Sequence, residues 1–166
     1  MESEKSRENR KNMEKKKPLK RDPRIQPISR EHHHTLLLCW KIRKGISKNI
    51  EIERIKKYAD WFFATHIVPH FEIEEEYIFP VLGMDSELVK KALSEHRRLK
   101  RLFSEKENVS ISLSLIEEEL DAHIRFEERV LFPEVQKIAS KQQLDAIEEN
   151  HHEHKFKDNL EDEFWL

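Results

Sequence analysis

The chain carries the sequence HFEIEEEYIFP at residues 70–80 and a related sequence, HIRFEERVLFP, at residues 123–133. Five of the eleven aligned positions are identical: the first histidine, two consecutive glutamates and the closing Phe-Pro pair. A shorter repeat is the Glu-His dipeptide, which occurs at Glu31-His32 and again at Glu95-His96. The chain therefore consists of two related halves, and we predict two helical hairpins that face each other.

The spacing inside each repeat has a chemical consequence. His70 precedes Glu74 by four residues, and His123 precedes Glu127 by the same number. Residues with this spacing project from one face of a helix. Apolar side chains share that face, and a buried carboxylate costs several kcal/mol unless a cation or hydrogen bonds compensate. Imidazole nitrogens with carboxylate oxygens suit iron, manganese or zinc, and two carboxylates able to bridge favour a two-metal site.

Composition favours long helices and excludes several other classes of protein. The 166 residues include only 2 glycines and 6 prolines, which argues against a turn-rich β sandwich or barrel and against Gly-rich nucleotide loops. No apolar run approaches the roughly 20 residues that span a bilayer. Met1 is followed by charged residues and not by a signal-peptide core, so we predict a cytoplasmic protein. The single Cys39 excludes a disulfide framework and a cysteine-based zinc site.

Apolar periodicity and the positions of proline and glycine predict four long amphipathic helices and a shorter final one. Ser29 is expected to cap the first helix, which ends near Gly45. Pro69 is expected to kink the second helix, and Pro80 to end it. Helices of this kind with short joins predict an all-α fold, an antiparallel up-down four-helix bundle with a short C-terminal helix. The predicted helices span residues 30–46, residues 52–79, residues 87–105, a segment from Ser110 or Ser112 to Phe132, and residues 141–157.

Charge is distributed unevenly along the chain. Residues 1–24 hold ten basic and five acidic side chains, a net charge of +5, which leaves −7 for the remainder. This segment has too few apolar residues to offset the entropy of ordering, so we predict a disordered basic tail at residues 1–24 and one domain at residues 25–166. A solvated extension is the simplest interpretation of the tail, and a weak electrostatic contact with nucleic acid or an anionic membrane is the functional one.

Four segments together resemble the hemerythrin-like, or HHE cation-binding, domains. They are SREHHH at residues 29–34, SEHRRL at residues 94–99 and the two eleven-residue repeats, and the resemblance covers about residues 22–140. It implies a four-helix bundle around a non-heme di-iron centre, with two iron ions as the expected cofactor and manganese or zinc less favoured. The ligands that it implies are His32, His70, Glu74, His96, His123 and Glu127.

Two positions in this ligand set have alternatives. In the first helix His32 competes with His33, and the apolar stripe of that helix points close to the direction of His32. Oxygen-carrying hemerythrins have a second histidine four residues further along the third helix, where this chain has Lys100. His66, one turn before His70, or a water molecule could fill that position; otherwise His66 is a packing residue or lies behind the ligands.

The resemblance implies a metal-binding protein rather than an enzyme, with oxygen or a related small diatomic as its ligand, used for sensing, storage or protection. The alternative is a di-iron oxidase, an enzyme that handles peroxide or nitric oxide, or an iron-sulfur cluster repair protein. A ferritin-like oxidase ranks lower because Glu-x-x-His is missing where it is needed. Three residues before His70, His96 and His123 the chain has Ile67, Leu93 and Leu120.

Other polar residues are less favoured as metal ligands than this set. Glu75 and Glu128 follow the two repeated glutamates directly, and we interpret them as groups behind the ligands or at the surface. His34 is expected to be exposed. The three histidines near the C-terminus are expected to lie on a solvated helix end, namely His151, His152 and His154.

Overall fold

The computed structural model describes residues 20–152 and 154–166. All regular structure in these residues is helical and no strand is present among them, which confirms the all-α prediction. Three helices are regular: α1 spans Gln26–Ser47, α3 spans Glu87–Ser104 and α5 spans Lys141–Asn150. The other two, α2 at residues 52–82 and α4 at residues 109–138, contain wider turns.

Both composite helices alternate α-helical stretches with π-helical turns. In α4, the α-helical stretches Val109–Phe126 and Phe132–Ile138 flank the π turn Glu127–Leu131. In α2, two such turns occur, and its successive parts are Ile52–Phe62, the π turn Phe63–Ile67, Val68–Ile73, the π turn Glu74–Ile78, and Phe79–Leu82.

Each π turn of the described chain ends two residues before a proline, namely Pro69, Pro80 or Pro133. Proline has no N–H to donate, and its ring clashes with the carbonyl group four residues earlier. A wider preceding turn accommodates the ring, so that the helix continues. The prediction that Pro80 ends the second helix is therefore wrong: α2 continues to Leu82, and Gly83 ends it with a φ of 87°.

The beginning of α1 also differs from the prediction. The amide groups of Ile25 and Gln26 donate to the Asp22 carbonyl at 2.9 and 3.0 Å, and the helix starts at Gln26 with Pro27 in its first turn. Proline suits this turn because its missing donor has no partner to lose there. Ser29, predicted as the cap, consequently lies inside the helix.

Residues 1–19 of the predicted basic tail lie outside the described residues. The last residues of that segment are described, and they contact the helices. Arg21 Nη2 donates to the Glu128 carboxylate at 2.9 Å, and Arg24 Nη1 donates to Asp145 at 3.0 Å. These contacts hold the chain before α1 against α4 and α5.

Two apolar clusters fill the interior, and each of the four long helices contributes to both. Along α1, for example, Ile28 belongs to one cluster and Leu38 to the other. A helix rises 1.5 Å per residue, so residues between them in sequence lie between the clusters in space. This interval carries His32 in α1, Glu74 in α2, His96 in α3 and Glu127 in α4, with His70 and His123 at its edge. The first cluster includes Leu38, Ile42, Ile55, Leu99, Ile116 and Leu120. The second includes Ile28, Ile78, Phe79, Val89, Leu131 and Phe132.

After α5 the chain returns across α1 and α2. Phe164 packs beside Gly45, where a Cβ atom would lie 2.8 Å from both Ile55 and the Phe164 ring. Gly45 therefore permits a close approach, and α1 continues past it to Ser47. No helix in the described part of the chain is long and apolar enough to span a bilayer.

Candidate metal centre

Six buried polar side chains converge between the two apolar clusters. Glu74, Glu127 and His96 have no exposed surface, and the other three expose 7% or less. All six were proposed from the sequence, and the fold brings them together from four helices: His32 from α1, His70 and Glu74 from α2, His96 from α3, and His123 and Glu127 from α4.

These side chains form two groups that share both carboxylates. We call the first group subsite A, in which His32 and His70 face Glu74 and Glu127. His32 Nε2 lies 3.4 Å from Glu127 Oε1, and His70 Nε2 lies 3.4 Å from Glu74 Oε1. The two Nε2 atoms are 3.0 Å apart. Four potential ligand atoms thus meet within 4.8 Å of one another.

Subsite B consists of His96 and His123 with the same two carboxylates. His96 Nε2 lies 3.3 Å from Glu74 Oε1, and His123 Nε2 lies 3.0 Å from Glu127 Oε1. Each carboxylate therefore contacts one histidine of subsite A and one of subsite B. This symmetry follows from the sequence repeat, because Glu74 and Glu127 begin the matching π turns of α2 and α4.

The donor atoms fit metal ions. Among the described residues, both carboxylate oxygens of Glu74 and of Glu127 are buried without a hydrogen-bond partner, and so are the Nε2 atoms of His96 and His123. Buried polar atoms of this kind are costly and need an explanation. Cations bound between the carboxylates would satisfy them, and the shared carboxylates divide the donors into two sets. Each group could hold one metal ion.

The charges in the metal-free cluster are strongly coupled. Burial and the neighbouring Glu127 carboxylate raise the pKa of Glu74 to about 8. Burial alone would raise the pKa of Glu127, but His123 outweighs it and holds that pKa well below its usual range. Burial alone would lower the pKa of His123, but the Glu127 carboxylate raises it to about 10. Protons therefore supply the positive charge at neutral pH, and an incoming metal ion must displace them.

The histidines of subsite A present their Nδ1 atoms to glutamates on other helices. His32 Nδ1 lies 2.6 Å from Glu128 of α4, and His70 Nδ1 lies 2.9 Å from Glu31 of α1. A carboxylate acceptor at Nδ1 leaves Nε2 as the free lone-pair nitrogen and fixes the orientation of the ring. Both Nε2 atoms of subsite A accordingly point into the cluster.

In subsite B only one of the two histidines has such a hydrogen bond. His123 Nδ1 lies 2.8 Å from Glu95 of α3. His96 Nδ1 is 3.8 Å from Glu75 of α2, an ion-pair distance beyond hydrogen-bond range, and it lacks a hydrogen-bond partner among the described residues. Sequence reasoning missed the roles of Glu31 and Glu95, although the repeated Glu-His dipeptide was a signal for them.

Three other histidines lie outside the cluster. His33 is exposed, whereas His32 is buried within the cluster. His34 is half-buried and stacks on Phe156 at 4.1 Å between ring centroids. His66 is half-buried among aromatic rings, with the centroid of Phe62 at 5.0 Å. It therefore acts as a packing residue in this structure.

A cavity of about 340 Å³ lies beside subsite A, between α1, α2 and the chain after α5. His70 and Thr35 line this cavity and also a much smaller one, of about 10 Å³, inside the protein. Four apolar side chains, Ile67, Phe71, Leu120 and Ile124, line the smaller cavity together with Thr35, His32, His70, His123 and Glu127.

His151 follows α5 and also lines the larger cavity. The prediction of a solvated helix end is wrong for this residue: α5 ends at Asn150, and the His151 side chain is 7% exposed. Its Nε2 lies 3.1 Å from the Glu31 oxygen that also faces His70. The capping box of Ser140 and Gln143 fixes the start of α5 and so helps to place His151.

A family model of the hemerythrin HHE cation binding domain matches residues 24–112. The match covers more than half of the chain, and the chain belongs to this family. No curated protein and no solved structure matches it significantly. The matched region holds the candidate residues of α1, α2 and α3. His123 and Glu127 lie beyond it, and the fold brings them to the same cluster.

Proposed function

We propose that this protein is a non-heme di-iron protein that binds oxygen or a related small diatomic for sensing, storage or protection. One observation carries the proposal: two His₂Glu₂ groups share a pair of fully buried carboxylates whose oxygens have no hydrogen-bond partner among the described residues. Six nitrogen and oxygen ligands of this kind suit iron, with manganese or zinc as less favoured occupants.

Each of the six side chains has a defined part in this proposal. Glu74 and Glu127, which belong to both groups, would help to hold both ions, His32 and His70 would complete subsite A, and the other two histidines would complete subsite B. The apolar clusters on either side would exclude water from the ions. Reduced iron, when bound, supplies electrons to an oxidising diatomic.

We also propose the up-down four-helix arrangement typical of the family. Its support is the order in which each helix meets the two apolar clusters. From its N-terminus, α1 meets the cluster of Ile28 first, and α3 meets the same cluster first, at Val89. The helices α2 and α4 meet the other cluster first, at Ile55 and Leu113. This order supports a chain direction that alternates from one helix to the next.

The cavities support a small and neutral ligand. The inner cavity of about 10 Å³ has Ile67, Phe71, Leu120 and Ile124 on one side and borders His32, His70, His123 and Glu127. The apolar side of this cavity offers no compensation for lost hydration, and its volume limits the ligand to a small molecule. Thr35 and His70 line both cavities, so the ligand would pass from the outer cavity to the inner one between these two side chains.

We further propose a cytoplasmic location and, for the basic residues 1–24, at most a weak contact with nucleic acid. The charge of this segment supports the second proposal, since ten basic side chains attract a polyanion. Removing residues 1–19 tests it, because this cut keeps the contacts of Arg21. Retention on nucleic acid should fall after the truncation, and unchanged retention would contradict the contact.

Anaerobic reconstitution with Fe(II) tests the di-iron site directly. We expect about two iron ions per chain, and a chain that takes up no metal contradicts the proposal. Glu127→Ala, which removes a carboxylate of both groups, should lose metal, and His70→Ala should lose the ion of subsite A, whereas the exposed His33→Ala should keep both ions. Visible spectra before and after air then separate the functions: a lasting colour supports a carrier or sensor, and rapid bleaching with peroxide formation supports an oxidase instead.

A further inference from the structure

We infer that the two subsites bind metal with unequal affinity, and that subsite A is the tighter because segments from both ends of the described chain hold its histidines. This inference rests on the proposed di-iron function. It concerns four glutamates behind the ligands, which differ in how firmly they are held. Two of them, Glu31 and Glu128, serve subsite A, and the other two, Glu75 and Glu95, face subsite B.

Glu128 is held on three sides. Besides the contact with His32, its Oε1 accepts from the hydroxyl of Ser29 at 2.6 Å, and its Oε2 accepts from Arg21 at 2.9 Å. Arg21 belongs to the segment that precedes α1 and has only 18% of its side chain exposed. The orientation of the His32 ring is therefore supported by the N-terminal side of the described chain.

Glu31 is held by the C-terminal side of the described chain. A single oxygen of its carboxylate lies 2.9 Å from His70 Nδ1 and 3.1 Å from His151 Nε2. His151 follows α5, at the start of the C-terminal segment that crosses back over α1 and α2. The His70 ring is thus oriented by a carboxylate that the C-terminal side of the chain holds in place.

The two glutamates behind subsite B are held by lysines with exposed side chains. Glu95 accepts from Lys91, whose side chain is 52% exposed, at 2.8 Å. Glu75 Oε2 lies 3.9 Å from Lys100, which is 44% exposed, and its other oxygen is too far from His96 for a hydrogen bond. Such surface pairs contribute little to orientation.

The unequal support has a measurable consequence. Removing the partner behind a metal-bound histidine typically lowers metal affinity 10- to 100-fold. His96 lacks that partner in the fold as it stands, although its ring stacks on Phe71 at 3.6 Å between centroids. The first metal ion should therefore enter subsite A, and the second should enter subsite B with at least about tenfold lower affinity.

Anaerobic titration of the full chain with Co(II), followed by its absorption spectrum, tests this order. Two binding events separated by at least about tenfold are expected for the unmodified protein. His123→Ala should keep the tight event and lose the weak one, and His70→Ala should do the reverse. Two equal events in the unmodified protein would overturn the inference alone, whereas a chain that binds no Co(II) would overturn the proposed function as well.

Variants of the glutamates distinguish a role in orienting the histidine rings from a general role in folding. Glu128→Ala should weaken the tight event by about 10- to 100-fold, and Glu128→Gln, which keeps an acceptor oxygen, should recover most of the loss. Glu75→Ala should change neither event by more than about twofold, since it removes no hydrogen bond to His96. Glu118→Ala, an exposed position on α4, is the matched control. A Glu75→Ala loss as large as that of Glu128→Ala would overturn the inference.

Discussion

Glu31 accepts a hydrogen bond from His70 on the next helix, and not from His32, its neighbour in sequence. The same crossing occurs in the second half of the chain, where Glu95 lies beside His96 but accepts from His123. Each half thus uses a Glu-His dipeptide to join two helices: the histidine faces the cluster, and the glutamate orients the histidine of the following helix. Assembly of the site and packing of the helices therefore depend on the same residues.

Removal of protons from the metal-free cluster should destabilise the metal-free protein. The pKa of His123 is raised from 6.5 to about 10, and that of Glu74 from 4.5 to about 8, so the folded form binds more protons than the unfolded form. The His123 contribution is complete below about pH 6.5 and is lost as the pH rises through 10; the Glu74 contribution is lost as the pH rises through 8. Thermal unfolding of chelator-treated protein should therefore show a falling Tm between pH 6.5 and 10.

The metal-loaded protein should behave in the opposite way over this range, because metal binding requires the deprotonated ligands. Glu74→Gln serves as the control in the metal-free series, since an amide cannot titrate and should flatten the slope. A Tm of the metal-free protein that rises with pH would contradict the raised pKa values.

Gly45→Ala should lower stability even though alanine favours a helix. The new methyl group would meet Ile55 and the Phe164 ring at 2.8 Å. Overpacking of this kind costs about 1–3 kcal/mol, and the better helix propensity of alanine offsets about 1 kcal/mol of it. A net loss of about 1 kcal/mol is expected in urea unfolding. Ser47→Ala, at the exposed end of the same helix, should stay close to the unmodified protein.

Asp158→Ala should destabilise the return of the chain over α1. Lys41 is only 8% exposed, and its ammonium group donates to Asp158 and to the Tyr58 hydroxyl. Without Asp158 a buried charge loses its counter-ion, and we expect a loss of about 2 kcal/mol, below the 3–5 kcal/mol of fully buried pairs. Asp162→Ala removes an exposed pair with Arg54 and should cost less than about 1 kcal/mol. Equal losses in the two variants would contradict this reasoning.

Thr35→Leu should slow the reaction of the reduced protein with oxygen. Thr35 lines both cavities beside His70, so a bulkier side chain would narrow the passage between them. Stopped-flow mixing with oxygen should show a several-fold lower rate at unchanged iron content. Thr65→Leu is the matched control, because Thr65 borders only the outer of these two cavities. Loss of iron from Thr35→Leu would instead indicate damage to subsite A.

Periodicity in the sequence was sufficient to predict the helices and the faces that carry His70 with Glu74 and His123 with Glu127. These are local relationships, set by the spacing of residues on one helix. The partners of the histidine Nδ1 atoms were not predictable in this way, because Glu31 and Glu128 contact histidines 39 and 96 residues away in sequence. Such pairs depend on which helices are neighbours and on their rotation.

The end of the last helix likewise could not be predicted from local sequence alone. The apolar pattern indicated a helix to residue 157, yet α5 ends at Asn150. His151 leaves the helical path and is held by Glu31, a contact that nothing in the C-terminal sequence itself could reveal. Likewise, Pro80 predicted the end of a helix, but the π turn before it accommodates the proline ring and the helix continues to Leu82.

The π turns at Glu74 and Glu127 change the direction in which the side chains beyond them point along α2 and α4. One additional residue in a turn rotates everything beyond it by about 100° relative to an uninterrupted α-helix. Phe79 and Phe132 are thereby directed into the interior, and both are fully buried. The glutamates sit at these joints, so deleting one residue from either turn would rewind the helix and rotate its Phe-Pro end away from the core, while the histidine one turn earlier would keep its place.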